Sequence, residues 1–167
     1  MPAKPLPDAE QLLASLTDRM RPVVGPDTGL VGIHTGGVWL AERLHQALNI
    51  SLPLGTLDVS FYRDDFSRKG LRRNVKSSDI PFDIDGCAVI IVDDVLYTGR
   101  TIRAAMNELF DYGRPSNIRL AALIDRGGRE LPISADFVGA SVEIRPDENI
   151  ELVRDADHRF ALRLVKG

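Results

Sequence analysis

Apolar positions along the chain follow two different periods, and the switches between them outline the elements. Asp8 is a helix-capping residue type, and behind it Leu12, Leu13, Leu16 and Met20 recur at helical spacing until Pro22, Gly25 and Pro26 close the stretch. Leu30-Val31-Gly32-Ile33 is a short apolar run, as in a buried strand. The turn His34-Thr35-Gly36-Gly37 follows, and Val38, Leu40, Ala41, Leu44 and Leu48 then mark a second helix. Strand, glycine turn and helix make the first half of a βαβ unit. From Leu54 to Phe61 the chain alternates, with Leu57, Val59 and Phe61 on one side and Asp58 and Ser60 on the other, which predicts a half-buried strand.

Residues 62–80 lose all periodicity and read as a flexible polar loop; so long a loop inside a compact domain is usually functional or disordered. Cys87-Ala88-Val89-Ile90-Ile91-Val92 is nearly continuously apolar, as a central parallel strand is. An acidic pair and a Thr-Gly turn lead from it into a helix with Ile102, Ala105, Met106, Leu109 and Phe110 as its apolar positions and Gly113 as its stop. Ile118, Leu120, Ala122 and Ile124 alternate as the next strand, and Asp125 to Glu130 form another polar turn. Short strands are expected at 137–139, 150–153 and 160–165, the last two flanking Arg154 to Arg159 as an antiparallel hairpin. The expected class is α/β, a mostly parallel central sheet flanked by helices with antiparallel additions, in one domain over residues 1–167 with a loose end over 1–7.

Composition narrows the classes. Hydrophobic residues make up 44% and charged residues 27% of the 167, which is ordinary globular usage. A net charge of −3 argues against a dedicated nucleic-acid binder but leaves room for a local basic face. One such stretch is Tyr62 to Lys76, where six basic residues against two acidic ones give a local net of +4. Cys87 is the only cysteine, so an intramolecular disulfide is excluded, and its bland reading is a small apolar filler. No apolar run approaches the roughly 18 residues of a membrane span. The opening MPAKPLPDAEQ lacks the apolar core of a secretion signal, so a cytoplasmic location is expected.

Three turns, at 34–37, 93–101 and 125–130, each follow a strand, and in an open parallel sheet ligands bind at the carboxyl ends of the strands. Asp93 and Asp94 at the end of a buried strand repel each other and need a cation, hydroxyl donors or a helix N-terminus to offset that. Thr98-Gly99-Arg100-Thr101 then opens a helix, where backbone N–H groups and two hydroxyls can cradle a phosphate. The segment thus offers acceptors for ribose hydroxyls or Mg²⁺ beside donors for a phosphate, as a phosphorylated sugar requires. The bland alternative is a capping turn with a bend at Gly99. Neither the dinucleotide nor the P-loop glycine pattern is present.

The stretch Val89 to Thr101, VIIVDDVLYTGRT, resembles the phosphoribosyl-pyrophosphate (PRPP) loop of type I phosphoribosyltransferases. With Tyr97 in place of the small residue common there, it is similar to one branch, the bifunctional pyrimidine-operon regulator/uracil phosphoribosyltransferases, PyrR. GIHTGG (32–37), TLDVSFYRDD (56–65), NELFDYGRPS (107–116) and LIDRGGRELPI (123–133) agree in the same order. The resemblance implies the type I phosphoribosyltransferase fold and transfer of phosphoribose from PRPP to uracil, giving UMP and pyrophosphate. Asp93 and Asp94 would bind the ribose hydroxyls and help hold Mg²⁺, and Val95, Leu96, Tyr97, Thr98, Gly99, Arg100 and Thr101 would bind the 5-phosphate. His34, Thr35, Gly36 and Gly37 would bind pyrophosphate, although many members read Lys-Thr-Arg-Gly there. Asp125, Arg126 and Gly127 would meet the base. Arg63, with a residue such as Arg68 or Arg72, would act on the departing pyrophosphate, and Arg68, Arg72 and Arg73 belong to the flexible loop.

The resemblance also implies a pyrimidine-responsive regulator of pyr operon expression that binds the mRNA leader, and a homodimer or larger homo-oligomer. Arg19, Arg21, Arg126, Arg129 and Arg145 are candidates for an RNA-facing surface. The alternatives are an attenuation regulator with little catalytic activity, or a purine phosphoribosyltransferase with the same loop. Trp39 reads as core or subunit contact, and His45 and His158 as surface residues.

Overall fold

The structure, a computed structural model, describes residues 5–59 and 78–167. Phe61, Arg63, Arg68, Arg72 and Arg73 lie outside them. The elements in chain order are α1 (Ala9–Met20), a 3₁₀ turn (Arg21–Val23), β1 (Thr28–Ile33), α2 (Gly36–Ala47) and β2 (Gly55–Leu57). Then come β3 (Ala88–Leu96), α3 (Arg100–Tyr112), β4 (Asn117–Asp125), β5 (Phe137–Ser141), β6 (Glu148–Arg154) and β7 (Phe160–Lys166). The first five strands form one sheet in the order β2-β1-β3-β4-β5, every pair parallel. β6 and β7 pair antiparallel as the expected hairpin.

Two helix ends have clear local causes. Asp8 caps α1, its Oδ1 accepting the N–H groups of Glu10 (2.9 Å) and Gln11 (3.2 Å). Gly113, at φ +153°, ends α3. The central strands are buried on both faces, so alternate residues feed two separate cores. Leu30, Ile90, Val92, Ala121 and Leu123 pack with Leu13, Leu16 and Met20 of α1 and Leu40 and Leu44 of α2. Val31, Ile33, Val89, Ile91, Leu120 and Ala122 pack with Ile102, Ala105 and Leu109 of α3. Cys87 belongs to this second core, and burial together with nearby Asp27, Asp83 and Asp85 pushes its thiol pKa up.

Four expectations need correction. The strand expected from Leu54 to Phe61 is only Gly55–Leu57 within the described residues. It is an edge strand whose ladder stops where β1 turns away at Ile33, its last step being the His34 N–H to Leu57 carbonyl bond (2.9 Å). The end of the expected loop, residues 78–80, returns to this edge through mutual backbone bonds between Thr56 and Asp79 (2.7 and 2.8 Å). Phe110 is 58% exposed, because it sits one residue past Leu109 and so about 100° around the helix from the buried face. His45 is half-buried, its Nε2 hydrogen-bonded to the Leu52 carbonyl (2.7 Å).

The hairpin is fastened to both helices of the first core. Leu152 and Phe160 are buried there. The Glu10 carboxylate accepts from Arg43 (2.6 Å) and from the Phe160 N–H (2.8 Å), and the Arg43 guanidinium lies 5.1 Å from the Phe160 ring centre. The Arg43 hydrogen bond holds the Glu10 carboxyl below the ordinary range. Trp39 is half-buried, with Arg154 of β6 over its ring at 4.5 Å.

Candidate functional site

The order β2-β1-β3 reverses the direction of winding at β1, and the crevice outside the carboxyl ends of β1 and β3 is the topological switch point. Gly32 pairs with Val92 there, so the turns after both strands emerge side by side. The first turn, His34 to Gly37, contains a cis peptide between His34 and Thr35 and opens α2 at Gly36. It packs directly on the acidic segment. A side chain at Gly37 would collide with the Val92 carbonyl and the Asp93 backbone, and one at Gly36 with the Asp94 carboxylate. Only glycine permits this approach.

β3 does not stop at Val92, as expected, but runs to Leu96 with Asp93 and Asp94 in its last residues. Asp93 is buried, 3% exposed, and Asp94 is half-buried. Asp93 Oδ1 accepts the Asp94 N–H and Asp94 Oδ1 accepts the Val95 N–H, both at 2.9 Å. These bonds fix the carboxylates at the strand end. Among the described residues no cluster of three or more His, Cys, Asp or Glu is arranged for a metal.

The phosphate-type turn follows. Thr98 and Thr101 are buried, and Gly99 holds φ +95°, which swings the chain into α3 at Arg100. Thr98 Oγ1 accepts the Arg100 N–H (3.2 Å). The first N–H groups of α3 therefore cluster at the mouth of the crevice, where a helix end is positive. The turn is braced from beneath, because the Thr98 carbonyl accepts both Glu130 N–H (2.9 Å) and Leu131 N–H (3.1 Å). The Arg100–Glu130 ion pair (2.9 Å) is half-exposed on both sides, so it adds little.

The third turn follows β4. Asp125 accepts the Gly127 N–H (2.9 Å) and Arg129 Nη2 (2.7 Å). Burial alone would raise the Asp125 carboxyl, but the bonds from Arg129 and Gly127 outweigh it and its pKa lies below the ordinary value. Arg129 also donates to the carbonyls of Tyr97 (2.5 Å) and Ile133 (2.8 Å). The Arg126 guanidinium lies over the Tyr97 ring at 3.8 Å and donates to Asn149 Oδ1 (2.8 Å). Of the five arginines considered for an RNA face, Arg126 and Arg129 are thus engaged internally, while Arg19, Arg21 and Arg145 are exposed.

The three turns converge as the sequence suggested. Arg129, named above only for an RNA-facing surface, and Asn149, not named there, join the site here. The Asp125–Arg129 spacing of four in a polar turn was a signal for the first; Asn149 reaches the site only through the hairpin, which no local pattern reveals. Among the described residues no helix is long and apolar enough to cross a membrane.

Residues 14–158 match the phosphoribosyl transferase domain family. The chain is 52% identical over 156 residues to the bifunctional protein PyrR of Pseudomonas aeruginosa, covering 90% of this chain and 91% of that one. It is 47% identical over 156 residues to the bifunctional protein PyrR of Nitrosococcus oceani, covering 92% and 88%. Among solved structures, a hypoxanthine-guanine phosphoribosyltransferase of Bacillus anthracis superposes with a TM-score of 0.67 at 22% identity, covering 89% of this chain and 85% of that one.

Proposed function

Because the chain belongs to the phosphoribosyl transferase domain family, within its PyrR branch, we propose that it is a uracil phosphoribosyltransferase and pyrimidine-responsive regulator. It joins uracil to the phosphoribose of PRPP, giving UMP and pyrophosphate. The carrying observation is the run from Asp94 through buried Thr98 and left-handed Gly99 into the first turn of α3, set at the switch point of the sheet. It presents an anionic hydrogen-bond acceptor and a phosphate cradle in one continuous run of the chain, from Asp94 to Thr101.

In the proposed reaction uracil N1 forms a bond to ribose C1 as the C1–oxygen bond breaks and its electron pair leaves with pyrophosphate; the N1 proton passes to solvent. Positive charge develops on the sugar ring. Asp93 and Asp94 hold the ribose hydroxyls and favour that charge, so the protein contributes positioning and electrostatics. The backbone N–H groups at the start of α3 and the hydroxyls of Thr98 and Thr101 take the 5-phosphate. Gly36 and Gly37 offer N–H groups to pyrophosphate, assisted by Arg63, Arg68, Arg72 and Arg73. Asp125, Arg126 and Gly127 face the base. The donor set of two carboxylates suits Mg²⁺, which takes one or two protein carboxylates and completes its shell with water and substrate phosphates. When bound, Mg²⁺ would neutralise charge on pyrophosphate.

The regulatory half of the reading concerns the mRNA leader of the pyr operon, with UMP as the sensed ligand and exposed Arg19, Arg21 and Arg145 as phosphate contacts. A cytoplasmic location and a homodimer or larger homo-oligomer go with it. The likeness to the hypoxanthine-guanine transferase, at 22% identity, speaks for the fold alone, so uracil follows the relatives at about half identity.

Pyrophosphate release with PRPP, Mg²⁺ and each of uracil, hypoxanthine, guanine and orotate tests the reading, beside Asp94→Asn. Turnover with uracil that collapses in the variant is expected. Turnover with a purine instead would overturn the base assignment. No turnover with any base, together with UMP binding, would leave the regulator alone.

A further inference from the structure

The phosphate turn and the base turn meet at one aromatic ring. Tyr97, half-buried, immediately precedes Thr98. The Arg126 guanidinium lies over its ring at 3.8 Å. Gly128, at φ +79°, comes so close that a side chain there would overlap the ring at Cε1 and Cδ1. The Tyr97 carbonyl in turn accepts Arg129 Nη1 at 2.5 Å. One residue of the phosphate segment therefore touches three positions of the 125–130 turn, Arg126, Gly128 and Arg129.

Arg126 is held as well as stacked. Its Nη1 donates to Asn149 Oδ1 of β6 at 2.8 Å. Its Nε is buried with no hydrogen-bond partner, the one such side-chain atom among the described residues. A buried donor left unpaired is unfavourable, and a long arginine could relieve it by swinging its head into water. The planar stack on Tyr97 and the Asn149 bond outweigh that release. The side chain is pinned where a merely solubilising arginine would be free.

From these contacts we propose that Tyr97 and Arg126 are positioning residues that join the phosphate turn and the base turn into one rigid unit, a role that rests on the phosphoribosyl-transfer reading. The ring of Tyr97, not its hydroxyl, sets the offset between the anchored 5-phosphate and the base. Without the ring the phosphate still binds at the start of α3, but the base turn is no longer held at the matching distance.

Calorimetric titration of the full chain with UMP, GMP and ribose 5-phosphate tests this. The wild type binds UMP more tightly than ribose 5-phosphate. Tyr97→Ala lowers UMP affinity about tenfold, with ribose 5-phosphate changed less than about threefold. Tyr97→Phe, which keeps the ring, recovers most of the lost ratio. Arg126→Lys, which keeps the charge but loses the planar stack, gives a loss like that of Tyr97→Ala, and the two losses do not add.

Equal losses for both ligands in Tyr97→Ala, failure of Tyr97→Phe to rescue, or additive losses in the double variant would each overturn the coupling. Should Tyr97→Ala fail to fold, an unchanged affinity ratio in Arg126→Lys overturns it alone. GMP binding tighter than UMP would overturn the uracil assignment while the coupling is read on GMP. Neither nucleotide exceeding ribose 5-phosphate would overturn both.

Discussion

The backbone of Gly36 abuts the side chain of Asp94, so a single methyl group at residue 36 would stand where the Asp94 carboxylate lies. The turn after β1 and the end of β3 are built against each other. Gly36→Ala must displace that carboxylate or tilt the start of α2, while both hydrophobic cores stay intact. The expected outcome is a fall in kcat/KM of about 10- to 100-fold from misplacement of one carboxylate. Steady-state pyrophosphate release, with a thermal melt as control, checks it. Unchanged turnover would show that this contact does not fix Asp94 for function.

Removing the charge instead of moving it separates binding from electrostatics. Asp94→Asn keeps size and shape, and its backbone bond to Val95 can persist through the amide oxygen. The negative charge beside the developing cation is lost, so kcat falls by about 10²- to 10³-fold with a smaller effect on PRPP affinity. Asp93 is more deeply buried. Asp93→Asn is therefore expected to lower the melting temperature more than Asp94→Asn does. Rapid-quench turnover and calorimetric melts on both variants test the ordering.

Gly99 carries the conformational demand of the phosphate turn. It holds φ +95°, and a Cβ there would lie 3.0 Å from Ile133 Cγ1. Gly99→Ala is expected to cost about 1–2 kcal/mol from the left-handed backbone alone. In a chain of this length that lowers the melting temperature by roughly 2–8 °C. Because Gly99 directs the first N–H groups of α3, phosphate affinity should fall with it, read by titrating ribose 5-phosphate. A stable variant with intact phosphate affinity would refute the role given to this glycine.

The parts of the fold written in local periodicity were legible in the sequence. The 3.6-residue spacing from Leu13 to Met20 and from Ile102 to Leu109 located α1 and α3, and the apolar run up to Val92 located the central strand. The extension of β3 through Asp93 and Asp94 was hidden, because charged residues look like a strand's end unless the partners β1 and β4 are known. A helix pattern tolerates one extra apolar position at its margin, so periodicity alone does not reveal that Phe110 faces outward. The site's three turns were readable as motifs. The Tyr97–Arg126–Asn149 contact was not, since it joins three elements far apart in the chain. The arginines at 63, 68, 72 and 73 fall outside the described residues.

Acid should act on this protein through two carboxylates that grip arginines. Asp125 is bound by Arg129 at 2.7 Å and Glu10 by Arg43 at 2.6 Å, and both have pKa values below the ordinary range. A carboxyl depressed on folding contributes stability that is fully present above its unfolded value, near 4, and is lost as pH falls through the folded value. Asp125→Asn and Glu10→Gln lack that contribution at every pH. Their melting temperatures are therefore expected to lie furthest below wild type near pH 7 and to approach it progressively as pH falls from about 4 toward the lower folded values. The two differ in reach: Glu10 fastens α1 to α2 and to the hairpin at Phe160, whereas Asp125 fastens only the turn beside the site. Glu10→Gln should thus shift the melt more than Asp125→Asn does, and Asp125→Asn should in addition lower the affinity for UMP. Calorimetric melts from pH 3 to 8, with UMP titrations at pH 7, test both halves. A gap to wild type that stays constant across this range would rule out preferential ionisation in the folded state.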